Sequence, residues 1–265
     1  MYDFAYHRPK TLAEATAALK GKPEARALSG GMTLIPTLKQ RLAKPSDVVD
    51  LNGIKDLAGI KVDGAGVTIG GMTRHADVAS SADVKKAIPG LSHLANHIGD
   101  PQVRNRGTLG GSVANNDPAA DYPAAVLALG ATITTTSRTI AADNFFKGLF
   151  ETALEDGELI TSISFPKADK TGYMKFPNPA SRYAMVGVFV AKTGNGVRVA
   201  VTGAGPCVFR VKAMEDALAK NFSSAAIKDI KIPADGLNSD IHGSAEYRAH
   251  LVNVMARRAV DQASK

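Results

Sequence analysis

The chain has 265 residues, 45% of them hydrophobic and 22% charged, which is the composition of a folded globular protein with room for two or three compact units. Cys207 is the only cysteine, which excludes a disulfide framework and an iron–sulfur cluster held by this chain alone. The net charge of +7 comes from dispersed lysines and arginines, and Trp is absent, so no nucleic-acid-binding surface is expected.

Hydrophobic periodicity and turn residues divide the chain into short helices and strands. The predicted helices cover residues 11–19, 33–42, 84–98 with a break at Pro89-Gly90, 119–129, 211–219, 223–229 and 245–263. The predicted strands cover residues 26–28, 48–51, 67–70, 131–136, 159–165, 186–191 and 197–202. The last two strands are joined by Asn195-Gly196, a hairpin turn signal. This mixture predicts an α+β fold.

The first glycine-containing turn is Ser29-Gly30-Gly31-Met32, between a predicted strand and a predicted helix. Thr33 is expected to cap that helix, whose residues Leu34, Leu38 and Leu42 would share one face. A strand that leads through two glycines into a helix presents free backbone N–H groups, which favour an anion such as a phosphate. The signal is weak by itself, because a plain strand-to-helix turn has the same sequence.

The second glycine-containing stretch covers residues 100–123 and is dense in glycine, asparagine and aspartate. An ordinary loop does not need so many glycine, asparagine and aspartate residues. Their number indicates a polar ligand that lies close to the backbone. Its end, Asp121, precedes an apolar predicted helix, so a simple helix N-cap is an equally good interpretation of that residue.

Together the two stretches resemble the FAD-binding medium subunits of the carbon monoxide dehydrogenase and xanthine dehydrogenase family. The matching motifs are Ser29-Gly30-Gly31-Met32-Thr33, Arg104-Asn105, Thr108-Leu109-Gly110-Gly111, Asn115, Asp117-Pro118-Ala119-Ala120-Asp121, Gly157-Glu158-Leu159-Ile160, Lys175-Phe176, Ala204-Gly205-Pro206 and Tyr247-Arg248. Their order is also that of the family, and the resemblance covers essentially the whole chain. Met32 departs from the family pattern, which has a polar residue there.

The resemblance implies an α+β fold with a two-lobed FAD-binding domain of the vanillyl-alcohol-oxidase type. Its lobes would cover residues 1–55 and 56–170. A small C-terminal α+β domain with a three-stranded sheet and helices would cover residues 171–265. The boundary near residue 170 also follows from the polar, turn-prone composition of residues 167–172.

The resemblance also implies which residues bind FAD. The two glycine pairs would hold the pyrophosphate through backbone amides, Asn115 and Asp121 would bind polar atoms on the flavin side, and Lys175 would lie near the isoalloxazine ring. Tyr183 or Val186 would also approach the ring. The complete implied set is Leu28, Ser29, Gly30, Gly31, Met32, Thr33, Leu34, Arg104, Thr108, Gly110, Gly111, Ser112, Asn115, Asp117, Ala120, Asp121, Ile160 and Lys175. No catalytic acid or base and no metal ligand is expected in this chain.

The implied function is electron transfer in a heterotrimeric molybdenum hydroxylase. A small subunit would carry two [2Fe–2S] clusters and a large subunit the molybdenum–pterin cofactor, with two heterotrimers forming a dimer. FAD in this chain would pass electrons from the clusters to an external acceptor. Two alternatives stay open: a stand-alone FAD-dependent oxidoreductase of the same fold, and a binding or assembly module that has lost FAD.

Two further expectations complete the sequence prediction. The sequence has no apolar run of the roughly 18 residues that span a bilayer and no leader-like N-terminus, which predicts a cytoplasmic protein without a membrane span. His93 and His97 lie four residues apart on a predicted helix, but the sequence offers no third ligand, so they are interpreted as ordinary helix histidines.

Overall fold

The computed structural model describes residues 1–265, and its first sheet has three parallel strands. They are β1 (Ala5–His7), β2 (Arg26–Leu28) and β3 (Asp47–Asp50), with β3 in the centre. The helix α1 (Leu12–Leu19) connects β1 to β2, and α2 (Leu34–Lys39) connects β2 to β3. Thr11 and Glu14 form a capping box at the start of α1, which fixes where the chain turns into that helix.

The helix α2 is shorter than the sequence predicted, and its cap is different. It ends at Lys39, because Arg41 takes a left-handed backbone conformation with φ of 59°. Leu42 therefore lies outside the helix and is 73% exposed, instead of sharing a face with Leu38. Thr33 already has helical dihedral angles, and its side chain makes no capping hydrogen bond, so the predicted cap is wrong.

The next strands along the chain are β4 (Ile60–Asp63), β5 (Gly66–Gly70), β6 (Thr132–Thr135), β7 (Thr139–Ala141), the small hairpin of β8 (Phe146–Gly148) and β9 (Glu151–Thr152), and β10 (Ile160–Pro166). Five of them form the second sheet, which is antiparallel, in the order β4-β5-β10-β6-β7. The helices are α3 (His75–Ser80), α4 (Ala82–Ala87), α5 (Pro89–Asn96), α6 (Pro101–Arg104), α7 (Leu109–Asn115) and α8 (Tyr122–Leu129). Every residue of α8 is buried, as its apolar, alanine-rich sequence requires.

The third sheet lies in the C-terminal part of the chain. Its strands are β11 (Ala168–Pro177), β12 (Ala184–Thr193), β13 (Gly196–Thr202) and β14 (Phe209–Arg210), antiparallel in that order. The helices that follow are α9 (Lys212–Lys220) and α10 (Ala245–Ala263). The two-residue β14 adds a fourth strand to the three that the resemblance implied. The polar stretch 167–172 lies largely inside β11, a strand that the periodicity did not reveal.

The long strand β12 joins two hydrophobic cores. Val186, Val188 and Val190 belong to the C-terminal core, in which α10 packs. Phe189 and Ala191 point to the other face and belong to the core that contains α8. Because successive side chains of a strand face opposite sides, a strand buried on both faces reads as a continuous apolar run. The α+β architecture is thus confirmed, and no helix is long and apolar enough to cross a membrane.

Candidate cofactor-binding site

The first glycine segment, residues 29–33, leaves the end of β2 with its amide groups free. The backbone N–H groups of residues 30–33 donate no hydrogen bond within the protein. Gly31 has φ of +74°, a left-handed conformation that glycine adopts without the steric cost of a Cβ. Consecutive free N–H groups form a concavity suited to an anion. This segment therefore has a row of unpaired backbone donors, which is the feature that its sequence indicated.

The second glycine segment, residues 107–111, uses its amide groups differently. Thr108 caps α7, and its Oγ1 accepts from the N–H of Gly111 at 3.2 Å. The N–H of Gly110 donates to Gly71 O at 2.8 Å. The amides of both glycines are thus bonded inside the protein, whereas a second cradle of backbone donors would need them free.

The structure brings the two glycine segments into contact. Thr108 Oγ1 donates to Ser29 Oγ at 3.2 Å, and these residues are 79 positions apart in the chain. A Cβ on Gly111 would overlap Ser29 Oγ, and a Cβ on Gly30 would overlap the carbonyl oxygen of Arg106. The obstacle at Gly30 is backbone, so glycine is required there, whereas the obstacle at Gly111 is a hydroxyl that can rotate.

Ile160 of β10 lies next to the second glycine segment, with Gly71 between it and Gly110. A Cβ on Gly110 would lie 2.7 Å from Gly71 O, and a Cβ on Gly71 would overlap Ile160 O. Residues from the start of α7, the end of β5 and the start of β10 are therefore stacked directly on one another. The stack holds the second segment against the five-stranded sheet.

A second group of predicted residues lies where the start of α8 meets β11. Asp121 forms an ion pair with Lys175, with 2.9 Å between Nζ and Oδ1, and accepts a hydrogen bond from Tyr173 Oη. Lys175 Nζ also donates to His97 O at 3.1 Å. Asp121 makes no side-chain cap to α8, so the N-cap interpretation is wrong.

Burial dominates the electrostatics of this ion pair. The side chains of Asp121 and Lys175 are each 5% exposed. Desolvation raises the pKa of Asp121, while the charge of Lys175 and the hydrogen bond from Tyr173 act in the opposite direction. Burial and the neighbouring carboxylate also raise the pKa of Tyr173. The positive charge of Lys175 is consequently shared with Asp121 rather than directed at a ligand alone.

Several other predicted residues are engaged in local structure. The guanidinium of Arg104 donates to two carbonyls of the loop before α6, and Asp117 accepts from a backbone N–H two residues later. The carbonyl of Ala120 accepts from Thr202 Oγ1. Leu28, Leu34, Ser112 and Asn115, which also belong to the predicted set, are partly buried.

The two residues expected to approach the ring have different surroundings. Tyr183 is 46% exposed and lies immediately before β12. Val186 is fully buried in the C-terminal core, which leaves it no surface to offer a ligand. Met32 is 37% exposed and provides no hydrogen-bonding side chain to the first segment.

Sequence reasoning missed three residues that support the site. Asn52 donates to the carbonyl of Ser29 at 2.9 Å, and Tyr173 fixes Asp121. His75 is buried beneath the second segment, where its Nε2 would meet a Cβ on Gly107 at 2.6 Å. Burial lowers the pKa of His75 to about 4. No local pattern marks these residues, because each contact depends on a distant part of the chain.

The chemistry of the two segments fits the pyrophosphate of FAD. Residues 28–34 and 104–112 contain no acidic side chain and include Arg104 and Arg106. The free amides of residues 30–33 would bind phosphate oxygens without a lysine. The arrangement is thus one for binding and orienting an anionic cofactor, and it contains no nucleophile paired with a base.

Comparisons with known proteins agree along the whole chain. The family model for the FAD binding domain in molybdopterin dehydrogenase matches residues 2–168, and that for the CO dehydrogenase flavoprotein C-terminal domain matches residues 172–263. The chain is 38% identical to the glyceraldehyde dehydrogenase medium chain of Sulfolobus acidocaldarius, covering 97% of each chain. It is 36% identical to the carbon monoxide dehydrogenase medium chain of Hydrogenophaga pseudoflava, covering 98% of this chain and 96% of the relative. A chain in the crystal structure of Cu,Mo-CO dehydrogenase superposes with a TM-score of 0.89 at 34% identity, over 99% of this chain and 98% of that one.

Proposed function

Because the chain belongs to the family of FAD-binding medium subunits of CO dehydrogenase- and xanthine dehydrogenase-type molybdenum hydroxylases, we propose that it relays electrons within a three-subunit complex. Its partners would be a small subunit with two [2Fe–2S] clusters and a large subunit with the molybdenum–pterin cofactor. The complex would be a dimer of such heterotrimers and would work in the cytoplasm. Bound FAD would supply the redox chemistry, taking electrons from the clusters and passing them to an external acceptor.

The observation that carries this proposal is the set of free amides at residues 30–33, placed where the two glycine segments touch. These amides would bind the pyrophosphate. The bonded amides of Gly110 and Gly111 would hold the loop in shape instead of contacting phosphate.

The residues where the start of α8 meets β11 would face the flavin side. Lys175 and Asp121 form a buried, nearly neutral pair, which would hold that wall rigid and exclude water. Exclusion of water strengthens electrostatic interactions with a charged cofactor. Asn115 and Tyr183, which are both partly exposed, are the open polar groups in this region.

The organic substrate would be selected outside this chain. The medium chains of a glyceraldehyde dehydrogenase and of a carbon monoxide dehydrogenase are similar to it to nearly the same degree. Two relatives with such different substrate names therefore share this subunit architecture. We also propose that the chain divides near residues 55 and 170, and the ranges of the two family models support the second boundary.

The test is to purify the native complex on a tag attached to this chain and to analyse its cofactors. We expect FAD with about four iron atoms and about one molybdenum per flavin, which corresponds to two [2Fe–2S] clusters and one molybdenum site. FAD without either metal, together with substrate turnover by this chain alone, would contradict the relay and favour a stand-alone oxidoreductase. A complex without flavin absorbance would instead indicate an assembly module.

A further inference from the structure

We infer that Asn52 is a positioning residue, which holds the first glycine segment in the conformation that binds the cofactor's pyrophosphate. The inference rests on the proposed FAD-binding function and adds a residue that lies outside both glycine segments. Asn52 follows β3 in a short 3₁₀ turn, next to the end of β2.

The side-chain amide of Asn52 donates both of its N–H groups to acceptors within the protein. Its Nδ2 donates to Ser29 O at 2.9 Å and to Asp50 Oδ1 at 2.6 Å. The backbone N–H of Asn52 donates to the same Asp50 oxygen at 3.0 Å. With two donors fixed, the side-chain amide has one orientation, and that orientation directs a hydrogen at the carbonyl of Ser29.

Asp50 is in turn anchored inside the first sheet. It is 7% exposed, it pairs with Leu28 across the β2–β3 ladder, and its Oδ2 accepts from Tyr6 Oη at 2.6 Å. Burial would raise the pKa of Asp50, but the hydrogen bonds from Tyr6 and Asn52 outweigh burial and lower it. Asp50 is therefore a carboxylate at neutral pH, and only a donor such as a carboxamide can bridge it to another oxygen.

The geometry of the peptide bond makes this contact act on the phosphate-binding amides. In a planar trans peptide the C=O of one residue and the N–H of the next point in opposite directions. By holding the carbonyl of Ser29, Asn52 aims the N–H of Gly30 away from β3. That N–H is the first of the free amides of residues 30–33, and the Oγ of the same Ser29 meets Thr108.

Asn52 is exposed as a residue and belongs to none of the three hydrophobic cores. Its replacement should consequently change the shape of the loop far more than the packing of the fold. An Asn52 variant should therefore lose affinity for FAD and keep its thermal stability. A residue that only supported the fold would lose both together.

The variant that tests the inference is Asn52→Asp, which keeps the shape of the side chain. It removes both donors and places a carboxylate against Asp50 and the carbonyl of Ser29. We expect the Kd for FAD, measured by flavin fluorescence on the flavin-stripped complex, to rise about 10- to 100-fold. The affinity for ADP, which shares the pyrophosphate, should fall in parallel. Asn52→Ala removes the donors without adding charge and should raise the Kd about 3- to 10-fold.

The chain offers a matched control in Asn253→Asp. The Asn253 carboxamide also donates twice, to Ile227 O at 2.9 Å and Ile230 O at 2.8 Å, but in the C-terminal region. This variant should lower the melting temperature and leave the Kd for FAD within about twofold.

The outcomes separate the inference from the function on which it rests. If the complex purified on the wild-type chain binds no FAD, the proposed function fails, and this inference fails with it. If the wild type binds FAD and both Asn52 variants bind it equally well, only the role of Asn52 is overturned. A loss of affinity in Asn253→Asp as large as in Asn52→Asp would likewise overturn it, since the effect would then be one of general stability.

Discussion

The two glycine segments have similar sequences but different physical roles. In the first, residues 29–33, the amides are free, and the glycines allow a left-handed turn and close contact. In the second, residues 107–111, the amides of Gly110 and Gly111 are bonded within the protein, and the glycines make room for the first segment and for the sheet. A glycine pair thus indicates close backbone approach, and only the hydrogen bonds reveal whether a ligand or the protein is approached.

The supports of the two segments differ as well. The first segment accepts a hydrogen bond from Asn52, which is exposed at the protein surface. The second rests on His75, which is 4% exposed and packs against the ring of Tyr122 with 5.3 Å between centroids. Disturbing the first segment should therefore affect binding, whereas disturbing what lies beneath the second should affect folding. Three substitutions test this comparison.

Gly30→Ala should have the largest effect. The new Cβ would overlap the backbone oxygen of Arg106 and lie 2.7 Å from the Cα of Gly107, so neither segment could yield by a side-chain rotation. We expect FAD affinity to fall at least about 100-fold, or about 3 kcal/mol, in a fluorescence titration of the flavin-stripped chain. Gly64→Ala is the control, because no atom lies within 4 Å of its added Cβ. Unchanged affinity in Gly30→Ala would show that the segments need not touch for binding.

Acid should destabilise the fold through His75, an effect of intermediate size. Its pKa falls from 6.5 in the unfolded chain to about 4 in the folded one, through burial and then the charge of Arg104. A lowered histidine pKa means that the folded state favours the neutral ring. The resulting stabilisation is complete above pH 6.5 and is lost as pH falls toward 4. Linkage gives a loss of about 2 kcal/mol between pH 7 and pH 5.

The measurement is urea unfolding of the wild type and of His75→Gln at both pH values. The variant should lose about 2 kcal/mol less than the wild type over this interval, because other titrating groups cancel in the difference. Equal losses in the two proteins would mean that His75 does not supply the acid sensitivity, and that the second segment is not supported by a buried neutral ring.

Gly111→Ala should have the smallest effect, because the obstacle is a side chain. Its Cβ would overlap Ser29 Oγ, and Thr108 Oγ1 would lie 2.9 Å away. A hydroxyl can rotate, so we expect about a tenfold loss of FAD affinity, or about 1.4 kcal/mol. Adding Ser29→Ala should restore affinity to within about threefold of Ser29→Ala alone. If the double-mutant cycle of Gly111→Ala and Ser29→Ala gave no coupling energy, the new methyl group would not act through Ser29.

Much of the fold was predictable from local patterns. The strand over residues 26–28 and the helix over residues 245–263 agree with the structure to the residue, because periodicity and flanking turn residues specify them.

The errors in the predicted elements have physical causes. The helix α2 ends early at a left-handed Arg41, which nothing in the sequence marks. The strand β11 was missed because its mixture of polar and apolar residues reflects pairing with β12 rather than burial of one face.

In the candidate site, too, some features were predictable from the sequence and others were not. Glycine pairs, an acid-free neighbourhood and the family motifs were visible in the sequence, as was the membership of Asp121 and Lys175 in one set. That these two residues bind each other depends on β11 and the start of α8 coming together, and their assigned contacts with FAD stay predictions. Tyr173 was hidden because an aromatic residue in a strand is usually core, and here its ring is core while its hydroxyl holds Asp121.

The fold class, the family and the positions where the backbone lies unusually close to another group were predictable from the amino-acid sequence. Glycine spacing and hydrophobic periodicity are local properties of the chain, so they can be read without coordinates. The tertiary contacts decide what each glycine approaches: the carbonyl oxygen of Arg106 at Gly30, Ser29 at Gly111, and Gly71 at Gly110. Whether an amide is free is a property of two chain segments, and contacts such as that of Ser29 with Thr108 span 79 positions that no local pattern encodes.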